Sequence, residues 1–104
     1  MYLIKAEAQG ASAGSVTLAP YFANRYKTPP SAASVASLTA TDFQNLILDE
    51  ERREFFAEGH WWYDVKRNKR SDLLTTLNGR SYLLYYPVPQ TELDLAGYTQ
   101  NPGY

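Results

Sequence analysis

Asn45-Leu46-Ile47-Leu48-Asp49-Glu50-Glu51-Arg52-Arg53-Glu54-Phe55-Phe56-Ala57-Glu58-Gly59-His60-Trp61-Trp62-Tyr63-Asp64-Val65-Lys66-Arg67 begins as a charged amphipathic helix, breaks at one glycine, and restarts as an aromatic turn ending in a basic cluster. Upstream, Thr39-Ala40-Thr41-Asp42 supplies a helix start, a hydroxyl three residues before an acid. The spacing predicts a helix over 42–58. Phe43, Ile47 and Glu54 share one stripe, and Leu48, Arg52, Phe55 and Gly59 form another. Arg53 can pair with Asp49 at i,i+4 or with Glu50 at i,i+3. Gly59 suits a C-terminal cap with positive φ. Residues His60–Asn68 read as a short second helix with Trp62 and Val65 turned inward.

The end of the chain carries a second long motif. Tyr86-Pro87-Val88-Pro89-Gln90-Thr91-Glu92-Leu93-Asp94 is followed by Gln100-Asn101-Pro102-Gly103-Tyr104. In this order the two motifs resemble the C-terminal signature of the SusD/RagB family. That signature runs roughly L-[ND]-E-R-R-R-E-x-x-x-E-G-H-R-W-x-D-L-K-R and closes with P-[IV]-P-Q-x-E-[IL]-D…Q-N-P-G-Y. Its structural positions fall here on Glu50, Arg52, Arg53, Glu54, Phe55, Glu58, Gly59, His60, Trp62, Asp64, Arg67, Pro87, Pro89, Asn101 and Pro102. The likeness is strong over 42–67 and 82–104 and weak over 1–8. Residues 9–41 and 68–81 carry no matching motif. Two positions depart from the pattern. Glu51 stands where the family usually has the first arginine of its triplet, and Trp61 where it often has an arginine.

The resemblance implies a mostly α-helical fold built on tetratricopeptide-like helix pairs. It implies a non-catalytic lipoprotein of the outer-membrane surface that captures glycans or other nutrients and passes them to a TonB-dependent transporter. Members of the family are several hundred residues long, so this chain is expected to be a C-terminal fragment with a scaffold role. The family's ligand contacts lie in more central segments, and no ligand residue carries over to this chain.

Composition sets independent bounds. A chain of 104 residues is one domain at most. A net charge of −1 gives no general field for nucleic acid or an anionic membrane. No cysteine is present, so there is no disulfide, no thiol chemistry and no lipidated N-terminal cysteine. Met1 is followed by Tyr2-Leu3-Ile4-Lys5-Ala6-Glu7-Ala8, which reads as a helix rather than a signal peptide. Export signal and anchor are therefore expected in a longer parent located at the cell surface.

Outside the signature the chain divides into a helix pair over 1–27, a loop over 28–40, the signature helices over 41–68 and an irregular closing segment over 69–104. Residues 2–9 form the first helix, with Tyr2, Leu3, Ala6 and Gln9 or Gly10 on one side. Gly10 to Gly14 is a breaker. Val16, Ala19, Phe22, Ala23 and Tyr26 recur at helical spacing, and Pro20 restricts that helix to a start near Thr17, because proline is tolerated in the first turn. The stretch 28–38 lacks periodicity. Asn78-Gly79 marks a turn. Ser81–Val88 reads as extended, and its prolines make it an edge strand or no strand. Gln90–Leu95 is one helical turn, and the tail after Ala96 is irregular.

Several residue groups invite a chemical reading. Glu54, Glu58, His60 and Asp64 could be metal ligands, but Gly59 disrupts their facing and no H-x-x-x-H or H-E-x-x-H pattern exists. His60 is the only histidine and no nucleophile elbow is present, so Ser-His-Asp chemistry has no basis and His60 reads as a capping or packing residue. No cofactor is called for. Lys66, Arg67, Lys69 and Arg70 read as a solvated face, or as partners for Asp64 and the acidic helix, rather than a nucleic-acid patch. Trp61, Trp62, Tyr63, Tyr82, Tyr85 and Tyr86 form a dense aromatic set that suits both packing and sugar rings. Trp61 is the candidate for an exposed ligand-binding ring. Phe55, Trp62 and Val65 are expected in a shared core, with Arg52 or Arg53 bonding the C-terminal segment. A second reading takes the pair at 2–27 as a helical protein-interaction module, with self-association through helix 2–9 as a further expectation.

Overall fold

Gly10 decides the shape of the first helix. The computed structural model describes residues 1–104. In it α1 spans Tyr2–Arg25 but is interrupted at Gly10, where φ 74 and ψ 178 place the backbone in a region open essentially to glycine alone. The chain reverses there and two helical arms fold against each other. Thr17 Oγ1 donates to Gln9 Oε1 at 2.6 Å, and Gly14 lies against the backbone of Ala6. In one straight helix, residues eight apart would be separated by about 12 Å along the axis.

The expected hairpin exists, but its second arm begins right after Gly10 rather than near Thr17. The breaker is one residue, not five, and Pro20 lies inside the helix. Proline tolerates this position because Val16 and Pro20 both face solvent. Water can there bond the carbonyl that the missing N–H leaves open. The earlier start also rotates the buried face. Gly14, Ser15, Leu18, Tyr21 and Phe22 are buried, whereas Val16, Ala19 and Ala23 are exposed. On the first arm Leu3 and Ala6 turn inward and Tyr2 outward.

The stretch expected as loop contains α2, Ala32–Ala36. Ser31 caps it, its side chain accepting from the Ser34 amide at 3.1 Å, and Val35 is buried. An alanine-rich turn with a serine cap needs little more than one buried contact to hold. α3 follows over Ala40–Glu54, capped as expected by Thr39, which accepts from the Asp42 amide at 3.1 Å. It ends four residues short of the predicted Glu58. Phe55 is its C-cap, Ala57 takes φ 63 and Gly59 φ 81. Gly59 thus has its positive φ inside the turn beyond the helix. α4 covers Trp61–Arg67.

The chain divides into two units, Met1–Trp61 and Trp62–Tyr104. The core of the first joins Leu3, Ala6, Leu18, Tyr21, Phe22, Val35, Phe43 and Ile47, with Tyr26, Leu46 and Phe55 at its margin. One carboxylate sits within it. Glu50 is 2% exposed. It accepts from the Tyr21 hydroxyl at 3.1 Å, from the Tyr26 hydroxyl, and from Arg53 Nη1 at 2.6 Å. Arg53 therefore takes Glu50, not Asp49, as its ion-pair partner. Arg25 and Glu54 pair alongside, and Gln44 donates to Glu7 at 2.5 Å to tie the first arm to α3. Burial and the Glu50 carboxylate hold the Tyr21 hydroxyl far above the usual tyrosine range. The bond to Glu50 raises Tyr26 as well.

The second unit has a smaller apolar interior, in which Val65, Leu77 and Leu84 are buried. Short 3-10 turns at Ser71–Leu73, Thr75–Leu77 and Ser81–Leu84 wind through it. The start of the stretch expected as extended is therefore a 3-10 turn, and the backbone becomes extended only at Tyr85. Asn78 (φ 47) and Gly79 (φ 78) make the expected turn. α5, Gln90–Ala96, is about two turns long and stops at Gly97 in the left-handed conformation.

A Cβ on Gly14 would lie 2.7 Å from the Ala6 carbonyl oxygen and 2.8 Å from Phe43 Cζ. The backbone of the opposing arm has no room to retreat. Gly14→Val is expected to destabilise the first unit by about 1–3 kcal/mol or more. Urea unfolding of the variant would show this as a lowered midpoint, and a midpoint equal to that of the parent would refute the close approach.

Candidate functional site

The signature segment is organised around turns rather than a cleft. The Arg52 guanidinium lies 4.8 Å over the Trp61 ring, a cation–π contact of about 0.5–1 kcal/mol where exposed. The departure from the family pattern at residue 61 therefore has a local partner, and the candidate ligand ring is half-buried with Arg52 stacked on it. Phe55 packs on the margin of the first core, with the His60 ring 5.0 Å away. Glu58 and His60 are exposed, 3.9 Å apart. Glu51, the other departure, is buried on α3 and engaged by its neighbours.

Asp64 makes its bonds within α4 and just beyond its end. It accepts from Arg67 at 3.5 Å, and its carbonyl accepts from the Asn68 side chain at 2.9 Å. Val65 is buried as expected, but Trp62 is only half-buried. Within the first unit Arg53 is engaged by Glu50 and Tyr26, and Arg52 by Trp61. No group of three or more His, Asp or Glu side chains comes together as a metal site.

The closing motif forms a clamp made almost wholly of side chains reading backbone. The Gln100 amide bonds Val88 twice: its oxygen accepts from the Val88 amide at 2.8 Å, and its nitrogen donates to the Val88 carbonyl at 3.0 Å. The same oxygen accepts from the Asn101 amide at 2.9 Å. Asn101 Nδ2 donates to the Tyr86 carbonyl at 2.5 Å, and the Tyr104 hydroxyl to the Tyr85 carbonyl at 2.7 Å. The Tyr104 ring meets Tyr82 edge-on at 5.2 Å. Gly103 (φ 101) passes so close to Tyr82 that a Cβ would fall 2.5 Å from its ring. Pro89 is the N-cap of α5. An extended proline-containing strip cannot pair as a strand, so its polar groups are satisfied by Gln and Asn amides, which carry both donor and acceptor. Sequence reasoning placed Gln100, Gly103 and Tyr104 in the closing motif but named only Pro87, Pro89, Asn101 and Pro102 as its structural positions. The spacing of an amide pair after a Pro-x-Pro strip was the available signal.

The basic cluster is largely paired. Arg67 meets Asp64, and Arg70 binds Asp72 at 2.8 Å, which holds that carboxyl below its usual range. The Lys66 ammonium lies 5.3 Å from the centre of the Tyr85 ring. Lys69 lines an open cavity of about 430 Å³ together with Ser71, Ser81, Tyr82, Tyr85 and Asn101.

The SusD_RagB family model, described as the SusD family, matches residues 1–82. It covers the helix hairpin and the whole signature segment, while the closing motif lies beyond it. No curated protein and no solved structure matches the chain.

Replacing Gln100 by Glu preserves both acceptor bonds and removes the donor to the Val88 carbonyl. The variant is expected to lose about 1–3 kcal/mol, read as faster hydrogen exchange at the Val88 and Asn101 amides. Unchanged exchange at both would contradict the clamp.

Proposed function

The chain belongs to the SusD/RagB family, and we propose that it supplies the C-terminal scaffold of a cell-surface lipoprotein that captures glycans or other nutrients for a TonB-dependent outer-membrane transporter. Proteins of the family are non-catalytic binders in that outer-membrane setting. The observation that carries the reading is the family match over residues 1–82. The geometry supports a passive role. The charged groups of the signature are paired, Glu50 with Arg53 and Asp64 with Arg67 locally, and Glu54 with Arg25 from the second arm of α1. Paired in this way, they are used for holding turns and helices rather than for proton transfer.

A second reading is a helical interaction module. It is favoured by Ile4 and Val16, exposed at 53% and 70% on the two arms of α1. Tagged full-length parent protein, purified from outer membranes in mild detergent, is expected to bring down a TonB-dependent barrel and to be retained on a glycan matrix. A barrel recovered without glycan retention would favour the interaction module. Recovery of neither would overturn both.

A further inference from the structure

The second unit contains a cavity whose chemistry is one-sided. Tyr82 and Tyr85 give it aromatic wall, and Ser71, Ser81 and Asn101 give it hydroxyl and amide groups. Its volume, about 430 Å³, falls in the range of about 300–1,000 Å³ typical of small-molecule sites. No carboxylate lines it. The nearby acids are committed elsewhere, Asp72 to Arg70 and Asp64 to Arg67.

Lys69 is the remaining charge, and it makes no ion pair. Its backbone is left-handed (φ 55), an uncommon conformation for a side chain with a Cβ. The Lys66 ammonium stands against Tyr85, 5.3 Å from its ring centre, and adds a second positive charge at the same wall. Phenol faces accept the C–H face of a sugar ring, and hydroxyl and amide groups match its OH groups. An unpaired ammonium in a site without carboxylates selects for an anion.

We propose that this cavity is a subsite for an acidic saccharide, a uronate whose ring lies on Tyr85 and Tyr82 and whose carboxylate meets the Lys69 ammonium. This rests on the nutrient-capture reading and narrows it to a ligand class and a place. The cavity is lined wholly by residues of the second unit, and it explains why the one cation of the basic cluster with neither an acid nor a ring partner borders aromatic residues.

Calorimetric titration of the 104-residue chain with trigalacturonate and with its fully methyl-esterified form tests the proposal. Lys69→Asn removes the charge while tolerating the left-handed backbone, and Tyr85→Ala removes an exposed ring. The expected result is binding of the acid at least about tenfold tighter than the ester, a step of about 1.4 kcal/mol. That preference disappears in Lys69→Asn, and Tyr85→Ala loses both ligands. Equal binding of acid and ester, or a preference that survives Lys69→Asn, overturns the assignment. If the ester binds equally well and depends on Tyr85, the acidic class falls while saccharide capture stands. If neither ligand binds, the cavity assignment falls, and co-purification with the barrel still judges the wider reading on its own.

Discussion

A buried carboxylate governs the first unit. Glu50 lies on α3 with almost no access to water, and a desolvated charge is tolerated only when its lone pairs are filled. The hydroxyls of Tyr21, on the second arm of α1, and of Tyr26, at its C-cap, and the Arg53 guanidinium fill them. The requirement fixes geometry as well as energy. Tyr21 and Tyr26 can both reach Glu50 only if that arm lies along α3 in one register. The same two rings flank Phe22 edge-on at 5.6 and 5.7 Å, so the polar network and the apolar core share their residues. Gly10 and Gly14 then serve this arrangement, the first by reversing the chain and the second by letting Ala6 and Phe43 close on it.

The second unit solves a different problem. Few large apolar side chains are buried there, and a small interior contributes little stability by itself. Its closing segment is held by Gln100, Asn101 and Tyr104, each bonding backbone groups of residues 85–88. The residue types of the final motif follow from that task. Amides pair with a strip whose prolines cannot pair as a strand, glycine clears the Tyr82 ring, and tyrosine reaches a carbonyl while covering a neighbour. The same winding leaves the Lys69 cavity beside the clamp.

How legible this was depended on how local the signal is. α3 and α4 were readable because an amphipathic repeat and a Thr39 cap act over a few residues. The end of α3 was misplaced because Glu58 and Gly59 look like a helix end, while the chain already leaves the helix at Phe55 and turns through Ala57. The buried face of α1 was misassigned because apolar residues lie all round that arm. Only the position of Gly14 against Ala6 selects Leu18 and Phe22 over Val16 and Ala19. Pro20 misled for a similar reason, since its cost depends on whether its face meets water. Val35 and its short helix were hidden in a serine- and alanine-rich stretch without periodicity. The role of Glu50 was half visible. Its pairing with Arg53 is a local rule, whereas its bonds to Tyr21 and Tyr26 span 29 and 24 residues. Tyr82, Tyr85 and Lys69 stood out by type, but the cavity that joins them could not be read, because it gathers residues from Lys69 to Pro102.

The central claim is that the Glu50 carboxylate and its two tyrosines lock α1 onto α3. Urea unfolding of the parent chain and of Glu50→Ala between pH 7 and 11 tests it most directly. Removing one member of a buried charged network is expected to cost about 3–5 kcal/mol at pH 7. In the parent, the folded state keeps the Tyr21 and Tyr26 protons while the unfolded chain releases them near pH 10. The stability of the parent should therefore hold below about pH 10 and fall as pH rises above it. In Glu50→Ala that alkaline fall should be shallower. A variant as stable as the parent at pH 7, with the same alkaline slope, would contradict the account.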